Sequence, residues 1–177
     1  MNSILHQLQA EIASSVHALD VAQTQLRPPS HPAKWSIQQI VEHLLLTYSQ
    51  TETAINGRLT KGAPTRATSS MTQRIFQYAV TGWGYFPTGR QAPPFVTPQP
   101  TTPHPLSGEE LTEATGEHLT HLDLLFTEAE ALFGPKSRCA THAVLGPLTI
   151  DQWRKFHLVH GEHHLKQIAA IRTARHI

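Results

Sequence analysis

The sequence holds a single cysteine, Cys139, among 177 residues. One thiol closes no internal disulfide, and a reducing cytoplasm suits such a chain. Cys139 reads as a small loop or core residue, since it lacks the helical setting that lowers a thiol pKa. Long apolar runs are missing as well. The longest, Leu44-Leu45-Leu46, is far too short to span a bilayer. No basic segment followed by an apolar core marks a secretory signal at the N-terminus. Charge is scarce: 15% of residues are charged and the formal net charge is +1. With no basic block or acidic tail, the footprint of a nucleic-acid binder is lacking. Nothing alternates with the period of a strand, and no internal repeat is visible. What remains is one domain, 1–177, able to bury a sizeable core, expected in the cytoplasm with neither nucleic acid nor membrane as partner.

Apolar residues recur with helical spacing in four long stretches. Residues 3–25 form the first expected helix, with Ile4, Leu8, Ile12, Val16 and Leu19 as its stripe, ended by the prolines that follow Arg27. Ser36 and Gln39 make a capping box for the second, with Trp35 and Ile40 as its hydrophobic staple and Asn56-Gly57 as its stop. Ile37, Ile40, Val41, Leu44, Leu45 and Tyr48 build its buried face. A short helix over 70–80, where Met71, Ile75 and Ala79 recur one turn apart, is expected next. Pro93, Pro94, Pro98, Pro100, Pro103 and Pro105 then impose a stiff, extended connection. Loops this long inside one domain are often functional. This one is expected either to lay Trp83, Tyr85 and Phe86 over a cavity or to use them to anchor itself to the core. The third long helix opens on Ser107 and Glu110 and carries Leu111, Ala114, His118, Leu122, Leu125, Ala129 and Leu132 on one face. A connection through Ala140-Thr141-His142 leads to the fourth, opened by Thr149 and Gln152. Fold class is therefore all-α, a four-helix bundle with a long proline-rich loop between its second and third helices.

The chain is rich in histidine, with thirteen. In the last helix Trp153, His157, His160, His164, Ile168 and Ile171 fall on one face at about 100° per residue. Imidazoles thus stand where packing normally wants Leu or Ile, and burying a polar ring costs about 1–3 kcal/mol unless something satisfies it. His160 and His164, one turn apart, read as two ligands of a divalent metal. A third must come from a facing helix. His118 faces inward by periodicity, His43 lies about 100° off its helix's stripe, and His157 shares the seam with His160; the spacing leaves the third ligand open. His163 lies off the central face. His6, His17, His31, His104, His121, His142 and His176 read as surface or hydrogen-bonded core residues. Glu42, Glu162 and Asp151 are candidates for a carboxylate that orients a ligand ring.

Trp35-Ser36 with His43-Leu44, then Gly146-Pro147-Leu148-Thr149, Trp153 and the block His160-x-x-His163-His164-Leu165-x-Gln167-Ile168 together resemble the DinB/YfiT-like superfamily. The resemblance runs nearly end to end. It takes in Phe86-Pro87-Thr88-Gly89 and the proline-rich stretch, found in an uncharacterised branch. It implies a four-helix bundle, often a homodimer, that holds nickel or zinc with one histidine of the second helix and two of the last. Carried onto this sequence, these are His43, His160 and His164, with His118 and His157 left as pocket residues. It also implies thiol chemistry, since characterised members include metal-dependent transferases that use a low-molecular-weight thiol, and hydrolase-like relatives have been proposed.

Three neutral ligands leave a divalent ion its full charge and an open position, the pattern of a catalytic rather than a structural site. The expected function is a metal-dependent S-transferase or hydrolase acting on a small electrophile, with a low-molecular-weight thiol as co-substrate. Arg90 and Arg154 are candidates to receive an anionic group. The alternative is a non-catalytic, stress-associated dimeric bundle, suggested by the lack of an evident acid or base beside the motif.

Overall fold

Most α-helix starts in this chain are set by capping boxes, in which a short polar side chain accepts the N3 amide and the N3 side chain accepts the cap amide. The computed structural model, which describes residues 1–87, 89 and 91–177, carries five of them. Ser36 with Gln39, Ser107 with Glu110 and Thr149 with Gln152 stand as expected. Asp20 with Gln23 and Ser70 with Gln73 add two more. The helices are α1 (Ser3–Val16), α2 (Val21–Thr24), α3 (Ile37–Thr60), α4 (Met71–Gln77), α5 (Gly108–Phe133) and α6 (Ile150–Arg175). The protein is mostly helical, at 62%, in keeping with the all-α expectation.

The four long helices bury their stripes against one another. α1 lies on α5 and α6, and α3 lies mainly on α5 with a smaller contact to α6. Leu5, Leu8 and Ile12 of α1, Ile40, Leu44 and Tyr48 of α3, Leu119, Leu122 and Phe126 of α5, and Ile168 and Ile171 of α6 share one core. Two glycines let these elements approach. A Cβ on Gly161 would stand 2.3 Å from Leu8 Cδ1, and one on Gly108 only 1.6 Å from the Val16 carbonyl oxygen. Gly108→Ala is therefore expected to cost about 3 kcal/mol or more, a fall in Tm of about 6–12 °C for a chain of this size. Thermal unfolding followed by circular dichroism checks this; an unchanged Tm would mean that the junction of α1 and α5 gives way freely.

The structure departs from the sequence spacing at four points. The first helix does not run over 3–25. It stops at Val16 because Asp20 re-caps the chain, accepting Gln23 N–H at 2.8 Å, while Gly108 N–H donates to the Leu19 carbonyl at 2.8 Å. The second long helix runs past Asn56-Gly57 to Thr60, since Gly57 stays helical and the turn is made at Gly62 with φ +61°. The buried side of α4 is not the apolar one. Met71 and Ile75 are 75% and 67% exposed, whereas Gln77 and, in the π-turn that follows (Tyr78–Gly82), Val80 are buried. Gln77 Nε2 donates to the carbonyls of Leu145 and Pro147 at 2.6 and 3.1 Å. Those two bonds fix the rotation of α4. Their carbonyls belong to a turn and strand where only an irregular connection was expected: β1 (Arg138–His142) and β2 (Gly146–Thr149) pair antiparallel. Gly146 at φ +75° makes their close turn, and His142 Nδ1 caps it by accepting the amides of Val144 and Leu145.

From α4 the chain returns through the proline-rich stretch as a strap along α3. Gln39 Nε2 donates to the Gln99 carbonyl at 2.7 Å, and Gln38 Nε2 to that of His104 at 3.0 Å. Leu106 N–H donates back to Gln38 Oε1 at 2.8 Å.

Candidate metal centre

α3 and α6 bring three imidazoles to one point. His43, His160 and His164 are 4%, 5% and 6% exposed. His160 Nε2 lies 3.1 Å from His43 Nε2 and 3.1 Å from His164 Nε2. Among the described residues this is the one group of three or more His, Cys, Asp or Glu side chains whose ligand atoms all lie within 4.8 Å of one another.

The strap explains why His43 points inward although it lies off the apolar stripe. It covers a second flank of α3, where Gln39 and His43, one turn apart, are buried and bonded to it. His43 Nδ1 donates to the Val96 carbonyl at 2.7 Å. On α6, His164 Nδ1 donates to Gln167 Oε1 at 3.2 Å, and Gln167 Nε2 donates to His163 Nε2 at 3.1 Å. With their protons on Nδ1, His43 and His164 each turn an Nε2 lone pair toward His160 Nε2. A neutral His160 can donate to only one of them. A cation at the centre removes this conflict, and the spacing suits one. Two imidazoles on a single tetrahedral ion at Zn–N distances of about 2.0–2.1 Å place their nitrogens about 3.3 Å apart.

The rings stay neutral and ready to bind. Burial, with some help from His164 and His43, pushes His160 well below the ordinary imidazole value. Burial followed by the His43 and His163 charges lowers His164 to about 3. Burial also lowers His43, against the opposing bond to Val96. Trp35 stands 5.0 Å from His43, Phe86 5.0 Å from His160 and Phe156 stacks on His160 at 5.3 Å, ring centre to ring centre.

Other expected residues go elsewhere. His118 does not face the cluster; its Nδ1 lies 2.9 Å from Glu52 Oε1, half-exposed on the flank of α5, because Leu119 and Phe126 rather than Ala114 and Leu132 take the inward positions there. Of the three loop aromatics only Phe86 reaches the site. Trp83 and Tyr85 are 73% and 59% exposed, since the π-turn directs Trp83 onto Tyr78 instead, with ring centres 4.9 Å apart. His157 is fully buried one turn before His160. Arg154 is tied to Glu130 at 2.8 Å in a mostly buried pair, so it is committed away from any substrate anion; Arg90 lies outside the described residues. Among the described residues no carboxylate orients the ligand rings in the way expected of Glu42, Asp151 or Glu162. Glu42 accepts from Gln38, Asp151 pairs with Lys155, and Glu162 lines the groove between α1 and α6. A carbonyl and an amide do that work. Gln167 could have been found from its position three residues after His164; the Val96 carbonyl left no mark in the sequence. Burial pushes the Cys139 thiol up to about 11, which keeps it protonated at neutral pH.

The family model described as protein of unknown function (DUF1569) matches residues 5–170. The chain belongs to the DUF1569 family. That match takes in α3, the strap and the whole block from His160 to Ile168, so the imidazole cluster of this DUF1569 chain lies within the family's shared region. No curated protein and no solved structure matches the chain. No helix among the described residues is long and apolar enough to cross a membrane.

Proposed function

We propose that this DUF1569 chain is a metal-dependent enzyme of the DinB/YfiT type, transferring a small electrophile to a low-molecular-weight thiol or to water at a divalent ion, nickel or zinc, held by His43, His160 and His164. The single observation that carries this reading is the convergence of three buried, neutral imidazole nitrogens with no fourth protein ligand beside them among the described residues. An ion bound there supplies Lewis acidity, lowering the pKa of a coordinated thiol or water toward neutrality. The chain's own part is to hold its ligand rings neutral by burial, to fix two of them through the Val96 carbonyl and Gln167, and to wall the centre with Trp35, Phe86 and Phe156. The packing of α1, α3, α5 and α6 supports the four-helix-bundle part of the proposal, and a cytoplasmic homodimer belongs to the same reading.

One observation favours the alternative of a non-catalytic, stress-associated metal-binding dimer. Among the described residues the ligand rings bond to the Val96 carbonyl, to Gln167 and to one another, and no carboxylate stands among them to serve as acid or base. Steady-state assays separate the two readings. Zinc- or nickel-loaded protein is given a panel of small thiols with a chromogenic alkylating electrophile, and His43→Ala is run beside it. The enzyme reading expects turnover that depends on metal and falls at least about 100-fold in the variant, the scale of losing an electrostatic contact to developing charge. Absence of metal-dependent turnover across the panel, from protein that carries its ion, would leave the non-catalytic reading standing.

A further inference from the structure

Five buried side-chain polar atoms on α3 and α6 have no hydrogen-bond partner among the described residues: the Tyr48 hydroxyl, Trp153 Nε1, both ring nitrogens of His157 and His160 Nδ1. Three of the rings that carry them pack together. The His157 centroid lies 5.3 Å from that of Tyr48 and 6.0 Å from that of Trp153, and His157 precedes His160 by one turn of α6. Native proteins keep few such groups, and a cluster of them marks either a polar site or a ligand.

The position of His160 in this set gives the cluster a purpose. A metal-binding imidazole almost always donates its rear N–H to a partner that fixes its tautomer and its plane. His43 does so to Val96 and His164 to Gln167. His160, the middle ring of the three, has no protein group in that role. Around it the inventory is rich in donors. Trp153 only donates, His160 Nδ1–H donates, the Tyr48 hydroxyl does both, and a neutral His157 offers one donor and one acceptor. Burial holds His157 neutral, lowering it to about 3. Donors therefore outnumber acceptors, and the missing complement is a small molecule with two lone pairs to give. Water meets that requirement, and buried water typically bonds to about three such groups.

We propose that His157 and Tyr48 are positioning residues for the metal ligand His160, acting through ordered water that accepts its Nδ1–H. This rests on the metal-centre reading above. It assigns a role to the one imidazole of the α6 seam that the cluster itself leaves out, and it makes His160 the ligand whose orientation depends on solvent inside the core.

Cobalt(II) titration of the full chain tests it, with affinity and the visible d–d spectrum as readouts. Tyr48→Phe removes a single oxygen, His157→Leu removes both ring nitrogens, and His157→Gln keeps a donor and an acceptor. The wild type binds one equivalent. Tyr48→Phe and His157→Leu bind 10- to 100-fold more weakly, the range known for loss of groups that orient a ligand, with an altered spectrum. His157→Gln recovers most of the loss. Should Tyr48→Phe and His157→Leu keep both the wild-type affinity and spectrum while melting at the same or a higher temperature without metal, these groups are merely buried and the inference is overturned. If the wild type itself takes up no cobalt, the metal-centre reading fails and this inference with it. Tyr48→Phe keeps the test decisive even if His157→Leu does not fold.

Discussion

In the presence of zinc at a thousand times its dissociation constant, the melting temperature of the wild type rises by about 8–16 °C, and that of His160→Ala does not move. The size of the rise follows from mass action. An ion that binds only the folded chain adds about 4 kcal/mol at that concentration, and each kcal/mol is worth about 2–4 °C in a domain of this length. His160 is the decisive position because its Nε2 is the one atom 3.1 Å from both other ligand nitrogens. Removing it leaves two of the three ligand atoms that converge here, too few to hold an ion as the full set does. A rise that persists in His160→Ala would place the ion elsewhere, and the Glu52, His118 and His121 group between α3 and α5 would be the first place to look.

Acid gives the second large effect. Taking the metal-free protein from pH 7 to pH 5 is expected to remove about 6 kcal/mol of stability, comparable with the whole margin of many domains. His142, His157 and His164 are lowered to about 4, 3 and 3 in the folded chain, in each case chiefly by burial, against about 6.5 when unfolded. Below pH 6.5 the unfolded chain binds protons that the folded chain refuses. Stability is therefore fully present above that pH and is lost as pH falls toward the folded values. At pH 5 each ring contributes about 2 kcal/mol to the loss, and His43 and His160 act in the same direction. Urea midpoints measured across this pH range in a chelator test the prediction. A midpoint that stays constant from pH 7 to pH 5 would show that these rings take up protons without unfolding, and so are not buried as described.

The parts of the site legible in the sequence were those written on a single helix. His160 and His164 follow from one-turn spacing on an otherwise apolar face, and the start of α6 from Thr149 and Gln152. His43 was not legible in that way. Its flank of α3 is buried by residues 96–106, and helical periodicity reports only the face turned to neighbouring helices, so the resemblance rather than the spacing pointed to it. For the same reason His118 looked better than it is, because a 3/4 pattern tolerates a rotation that puts Leu119 and Phe126 inward. Trp83 and Tyr85 depended on the path of a loop, which the π-turn after α4 decides, and composition does not encode that turn. The rotation of α4 is likewise not written in its spacing. Two hydrogen bonds from Gln77 to hairpin carbonyls outweigh the exposure of Met71 and Ile75, and no local pattern announces a long-range polar anchor. The break between α1 and α2 was written in Asp20 and Gln23, a capping box hidden inside a stretch whose apolar spacing runs on through Leu19.

X-ray absorption at the zinc edge, on protein loaded with one equivalent and then exposed to a small thiol, tests the metal centre most directly. Three imidazole nitrogens at about 2.0–2.1 Å are expected, together with a non-protein light atom that sulfur replaces when the thiol is added. A coordination sphere closed by four protein ligands and indifferent to thiol, or no zinc retained at one equivalent, would contradict that expectation.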